Sequence, residues 1–256
     1  MAGARKLELI ALPDFPLVEP GDDLAALVIA GLARADIRLA TGDVIVLAQK
    51  IVSKAEGRLI ALDTVEPSPE ALRVAQQVLK DPRLVELVLR ESRRIVRMGP
   101  NVLIVEHRLG LIMANAGIDQ SNVAGENGPV ALLLPEDPDA SAKLHGATLA
   151  ALAGVDVAVV INDSFGRPWR RGTVGVAIGA AGLPSLIDRR GEADLFGREL
   201  QVTMIAYADE IAASASLLMG QAAEGTPVVL LRGLIWSAPP NPASDLLRPA
   251  GEDLFR

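Results

Sequence analysis

Three observations predict a mixed α/β (or α+β) fold. Half of the 256 residues are apolar, mostly Ala, Leu, Val and Ile, and aromatics make up only 3%. That composition suits strands and helices that cover one another. Strand-like and helix-like segments alternate along the chain, yet their connections are too irregular for a simple doubly wound sheet. No internal repeat and no clear domain linker interrupts them, so the length fits one large domain or two intimate ones with a substantial core.

Taken in order, residues 6–12 (KLELIAL) read as a strand, and PDFPLVEPGDD as an extended, proline-rich connection. An Asp at the start and apolar residues at helical spacing predict a helix over about 22–35. TGDVIVLAQKIVSKAEGRLIAL reads as a turn, a buried strand, a polar interruption and a second strand-like run. Residues 68–92 read as two helices, the first capped by Ser68 and the second separated from it by Asp81-Pro82. NVLIVEH and GLIMANA, on either side of Arg108-Leu109, suggest a hairpin followed by the loop IDQSNVAGENG. DPDASAKLHGATLAALAG reads as a helix ending on Gly154, and DVAVVIND as the strand after it. Gly166 and Pro168 then break the chain, and Gly-rich apolar and charged segments fill 172–206. ADEIAASASLLMGQAAEG reads as a helix ending in a small-residue loop, and TPVVLLRG as a closing strand. The tail from Ser237 is too proline-rich to be expected in the core.

The totals exclude several function classes. A formal net charge of −7 argues against nucleic acid or an anionic membrane as the main partner. With no cysteine, disulfides and thiolate metal sites are absent. His107 and His145 leave little room for a histidine-built zinc site and are assigned no role. The N-terminus turns polar and proline-containing too early for a signal peptide, and no apolar run approaches membrane-spanning length. A cytoplasmic protein is expected. There is no GxxxxGK[ST] P-loop, no GxGxxG dinucleotide spacing, no GxSxG and no HExxH.

Polar clusters follow the apolar strands instead. Gln49, Lys50, Ser53, Lys54 and Arg58 follow VIVL. Asn115, Asp119, Ser121 and Asn122 share one loop after GLIM. Asp163 and Ser164 follow VAVVI, with Arg167, Arg170 and Arg171 a few residues on. Gln221 and Glu224 lie in a loop of small residues that lets backbone amides approach a ligand. Asp119 and Asp163 with hydroxyl and amide neighbours form an oxygen-only set, which suits Mg²⁺ or Mn²⁺ shared with substrate phosphates. Nearby Lys and Arg would neutralise the remaining phosphate charge, and phosphoryl transfer needs mainly such positioning and charge compensation. Taken singly, each cluster also has a plain reading. Asp-Ser serves as a helix cap or turn, NAGID as a hydrogen-bonded turn, SKAEGR as a solvated loop, and RPWRR as a surface salt-bridge patch or interface.

Four stretches, "QKIVSKAEGR", "ANAGIDQSNV", "INDSFGRPWRRGTVGVAIG" and "ADEIAASASLLMGQAAEGTPVVLLRG", resemble the coenzyme F420-0:L-glutamate ligase (gamma-glutamyl ligase) family, in order from about residue 8 to 235. Some members carry a further flavin-binding domain after a tail like RPAGEDLFR, so the resemblance is to the stand-alone form. It implies an α/β fold of two intertwined subdomains, a ligase unit over 1–245 and a C-terminal tail over 246–256. It also implies a homodimer, two divalent cations (Mg²⁺ or Mn²⁺), a stimulating K⁺, and GTP as co-substrate. GTP would phosphorylate the terminal carboxylate of coenzyme F420-0, and L-glutamate would displace the phosphate; later glutamates would join by gamma linkage. By position, Asp119 and Asp163 fall on ligands of the first metal, Ser164 and Gln221 on ligands of the second. Phe15, Pro16, Leu17, Val18, Gln49, Lys50, Lys54 and Asn122 fall on nucleotide contacts. The loop Met219, Gly220, Gln221, Ala222, Ala223, Glu224, Gly225 and Thr226 falls on the stretch that wraps the nucleotide. Asp119, Asp163, Arg167 and Arg170 are the candidate catalytic residues, the arginines facing phosphate oxygens or the anionic acceptor. Gln221 departs from members with a carboxylate there, and a neutral amide gives less charge to a second ion. Two rivals remain: a related ligase for a different phosphorylated acceptor, and a GTP-binding paralogue without turnover.

Overall fold

The computed structural model describes residues 4–121 and 128–253. Twelve strands and six α-helices occur among them, in a mixed α/β arrangement without a closed barrel. The extended opening segment forms β1 (Glu8–Ala11). Asp23 caps α1 (Leu24–Arg34), its carboxylate accepting the Ala26 N–H at 3.1 Å. β2 (Val44–Ala48) is fully apolar and runs straight into α2 (Gln49–Ala55). That helix replaces the expected polar interruption. Ile51 and Val52 are buried, while Lys50 and Lys54 recur one turn apart on a single side.

β3 (Leu59–Ala61) precedes α3 (Pro69–Val78) and α4 (Pro82–Arg90). Ser68 and Asp81 cap the two helices as expected, each followed by a proline at the first helical position. β4 (Ser92–Gly99), β5 (Val102–His107) and β6 (Ile112–Ala114) form an antiparallel sheet, and the expected hairpin is its β5–β6 half. β7 (Val130–Leu132) pairs with β3. Apolar residues from Leu62 to Leu133 make one core of their own, around Val78, Val85, Leu103 and Val105.

α5 (Pro138–Ala153) is capped by Asp137 and ends on Gly154 at φ 71°, where only glycine is unstrained. β8 (Ala158–Gly166), β9 (Thr173–Ala181), β10 (Leu186–Asp188), β11 (Met204–Ala206), α6 (Tyr207–Met219) and β12 (Val228–Arg232) complete the chain. The main sheet has the order β1-β12-β2-β8-β9, and only β2 and β8 run parallel. Period-two alternation decides its two faces. Ile45, Leu47, Val159, Ile161, Val228 and Leu230 face α1, α2 and α5. Val44, Val46, Ala158, Val160, Val229 and Leu231 face α6. Each such side chain, fully buried, stabilises by about 1.5–3 kcal/mol.

Two expectations are corrected. β8 does not end after Asp163 but continues to Gly166, because the Gly-rich segment 173–181 is itself a strand and pairs with it residue by residue. The tail is not excluded from the core. Ala243 is buried there, and Asp139 accepts the N–H groups of Ala243 (2.8 Å), Ser244 (3.1 Å) and Ala180 (2.9 Å). The Asn241 carboxamide likewise accepts from Ser185 and Leu186, so side-chain hydrogen bonds seat a segment whose prolines bar it from a sheet. β4 lies at the edge of its three-stranded sheet. No helix of the described residues is long and apolar enough to cross a membrane.

Fully buried His107 accepts the Leu109 N–H on Nδ1 (3.0 Å) and turns Nε2 toward Glu91, 3.5 Å away. Arg58 and Arg108 also reach that carboxylate, each at 3.0 Å. Burial alone would raise the Glu91 pKa, but the His107 N–H and the two guanidinium groups outweigh it and hold it at about 2. A depressed carboxylate contributes stability that is complete above its unfolded value, near 4.5, and is lost as the pH falls toward 2. The shift corresponds to on the order of 3 kcal/mol. In urea unfolding, the gap between wild type and Glu91→Gln is expected to be constant above about pH 5 and to shrink below it. A gap unchanged down to pH 3 would contradict this account.

Candidate functional site

The C-terminal ends of the parallel pair β2 and β8 open into a cavity of about 500 Å³. Ligand sites commonly lie outside the carboxyl ends of parallel strands, where the chain departs in different directions. Five segments build the wall: Phe15–Val18, Ala48–Lys54, Asp119 with Ser121, Asn162–Ser164, and Met219–Pro227. The described candidate metal and nucleotide residues therefore come together: Phe15, Pro16, Leu17, Val18, Gln49, Lys50, Lys54, Asp119, Asp163, Ser164 and Met219 to Thr226 all line it. Asn122 lies outside the described residues. Arg167 and Arg170 are not brought to the wall. Because β8 runs on as a strand, roughly 3.3 Å per residue carries them to the exposed β8–β9 turn. There an Arg167 N–H donates to the Gly172 carbonyl at 3.4 Å.

On one side Lys50 lies 2.5 Å from the Asp119 carboxylate, both half-buried. Asp119 is held by two backbone hydrogen bonds with Leu132, 3.0 and 2.8 Å, after a turn in which Asn115, Ala116 and Gly117 all take positive φ. Burial and then the neighbouring Lys50 lower the Lys54 pKa. Opposite, the Ser164 N–H donates to Asp163 Oδ1 at 2.7 Å. Burial pushes the Asp163 carboxyl up to about 6, and repulsion from Asp119 adds to it, against the Ser164 N–H and Lys50. Two carboxylates close enough to repel share the wall with Lys50 and Lys54, and Lys50 offsets part of the repulsion. The Ser164 hydroxyl donates to Gln221 Oε1 at 2.7 Å, so the two expected ligands of a second ion are already in contact.

This donor set fits a hard divalent cation: two carboxylates, a hydroxyl and an amide oxygen, with phosphate and water to complete six oxygens. Among the described residues no cluster of three or more His, Cys, Asp or Glu that could hold a metal ion occurs. Two more acceptors lie in the wall. Gln49 donates through Nε2 to Ser53 Oγ (2.7 Å), and Asn162 through Nδ2 to Ser216 Oγ (2.9 Å). Each leaves a buried carbonyl oxygen without a protein partner. The sequence reading omitted Ala48, Ile51, Asn162 and Pro227 from the site. Only Asn162 carried a signal, a polar residue closing an apolar run.

The family described as F420-0:Gamma-glutamyl ligase matches residues 14–233. Among curated proteins, the chain is 49% identical to the coenzyme F420:L-glutamate ligase of Methanothermobacter thermautotrophicus, over 98% of this chain and 99% of that protein. Identity to the ligase of the same name from Methanopyrus kandleri is 48%, with both chains covered completely. The Methanocaldococcus jannaschii ligase is 42% identical over 98% of each chain.

Proposed function

The chain belongs to the F420-0:gamma-glutamyl ligase family, and from that premise we propose that it joins L-glutamate to coenzyme F420-0 at the expense of GTP. One observation supports this reading above the others: Lys50, Lys54, Asp119, Asp163, Ser164 and Gln221, from four distant segments, line a single cavity. A terminal carboxylate oxygen of the acceptor attacks the γ-phosphorus of GTP, the bond to the bridging oxygen breaks, and GDP leaves with an acyl phosphate formed. The amine of L-glutamate then attacks the acyl carbon, inorganic phosphate departs with the C–O electron pair, and the ammonium proton passes to solvent. Repetition on the γ-carboxylate extends the tail.

Lys50 and Lys54 face the phosphates, whose negative charge would oppose the burial and the Lys50 repulsion that lower the Lys54 pKa. The Ala222 N–H of the small-residue loop 219–226 donates to the Glu224 carboxylate at 2.8 Å, a contact a phosphate oxygen would replace, and Phe15 to Val18 form the apolar rim. Asp119 and Asp163 hold one divalent ion, Ser164 and Gln221 a second, and K⁺ stimulates. Bound there, such ions supply charge stabilisation for the transferring phosphoryl group. Arg167 and Arg170, outside the wall, suit the far end of an anionic acceptor. The homodimer of this reading would cover the exposed Leu195, Phe196 and Val202 of the segment 189–203.

The test is a coupled assay with purified protein, GTP, L-glutamate and Mg²⁺ or Mn²⁺, with and without F420-0, read by mass spectrometry. Successive glutamyl additions matched by GDP release are expected only with F420-0 present. GTP binding without any addition would transfer the reaction to a different phosphorylated acceptor.

A further inference from the structure

We propose that Asn162 is a positioning residue that fixes the nucleotide-facing loop 219–226 to the central sheet. The proposal rests on the nucleotide reading above for its ligand, but not for its mechanical part. Asn162 stands at the carboxyl end of the parallel pair, opposite Ala48, where β9 inserts one extra residue, Ile178, against β8. Two residues on from Val160, which faces α6, it keeps to the same face by strand alternation. Asn162 is only 6% exposed, and its carboxamide meets the last turn of α6. Its Nδ2 donates to Ser216 Oγ at 2.9 Å and lies 3.3 Å from Met219 Sδ. Met219 is both the final residue of α6 and the first of the loop. The far end is closed separately, by the Thr226 hydroxyl donating to the Leu218 carbonyl at 2.8 Å.

With its N–H groups committed to α6, the carboxamide cannot rotate freely, and its Oδ1 is left without a protein partner in the cavity wall. A buried acceptor in that state is costly. The side chain accepts that cost where it ties the loop to the sheet, its Oδ1 enclosed between β9 and α6. Gly175 leaves the room for it, since a Cβ there would lie 2.7 Å from Oδ1.

The experiment compares Asn162→Ala, Ser216→Ala and the double variant by amide hydrogen exchange without ligand, and by calorimetric titration with GTP and Mg²⁺. Faster exchange across residues 219–226 is expected in all three, with β8 and β12 unchanged. Loss of the tether in Ser216→Ala is expected to weaken GTP binding about 3–10-fold, the worth of one ordinary hydrogen bond. Its kcat at saturating nucleotide should stay within about twofold, and its KM for L-glutamate should not move, which a general loss of structure would not spare. The double variant is expected to be no worse than Asn162→Ala, because both remove one contact. Additive losses, or wild-type exchange across the loop in Ser216→Ala, would overturn the proposal. A wild type that binds no GTP would instead overturn the nucleotide reading, and the exchange data would still decide the role of Asn162.

Discussion

In the Asp163→Asn variant, turnover is expected to fall by roughly 10²–10³-fold or more, the scale on which removing preorganised charge stabilisation acts. The variant keeps shape and volume and loses only charge. Folding should not suffer. The folded carboxyl titrates near 6 rather than 3.8, through burial and repulsion from Asp119, so its ionisation penalises the ligand-free protein fully above about pH 6 and not below about 4. A neutral amide removes that penalty, and thermal unfolding at pH 7.5 should give a Tm no lower than the wild type's. Loss of turnover with an unchanged or higher Tm would separate chemistry from stability. Near-wild-type glutamyl transfer would remove Asp163 from the reaction.

Gly175→Ala is expected to damage both stability and binding. Gly175 lies on β9 beneath α6, and a Cβ there would stand 2.2 Å from Ser216 Oγ, 2.5 Å from the Ala212 carbonyl and 2.7 Å from Asn162 Oδ1. The Ala212 carbonyl is helix backbone and cannot swing aside, so α6 as a whole must shift. Overpacking of this kind costs about 1–3 kcal/mol, measurable as a lower urea midpoint. The displaced helix carries Met219 and with it the loop that lines the cavity, so GTP affinity should fall in the same variant. A helix that tolerated the methyl with unaltered midpoint and affinity would show that the close approach has no role.

Much of this was legible from residue patterns. The helix caps at Asp23, Ser68, Asp81 and Asp137 are local chemistry, each side chain accepting an N–H two or three residues on, and they were readable before any tertiary information. The alternating runs of β2, β8 and β12 were likewise readable as buried strands, since a sheet covered on both faces needs apolar residues at every position. The short helix α2 was not. Its seven residues carry four polar side chains, and what makes it helical is the burial of Ile51 and Val52 against distant segments. The extension of β8 beyond Asp163, through Ser164, Phe165 and Gly166, was hidden for a similar reason. Polar residues within a strand become intelligible only once β9 supplies the ladder and the cavity supplies their surroundings. The wall residues named by resemblance came together in one cavity. The arginines did not, because their distance from Asp163 depended on whether the chain turned or ran straight.

The order of strands in the main sheet bears on how the chain is made. β12, which ends at residue 232, lies between β1 and β2, so the first strand synthesised has no neighbour until almost the last one exists. The core spanning residues 62–133 is contiguous in sequence and can consolidate while the ribosome is still working. The main sheet must wait, its two halves held apart until β12 supplies the missing strand. The ligand cavity draws on segments from residue 15 to residue 227 and so cannot close before β12 joins the sheet.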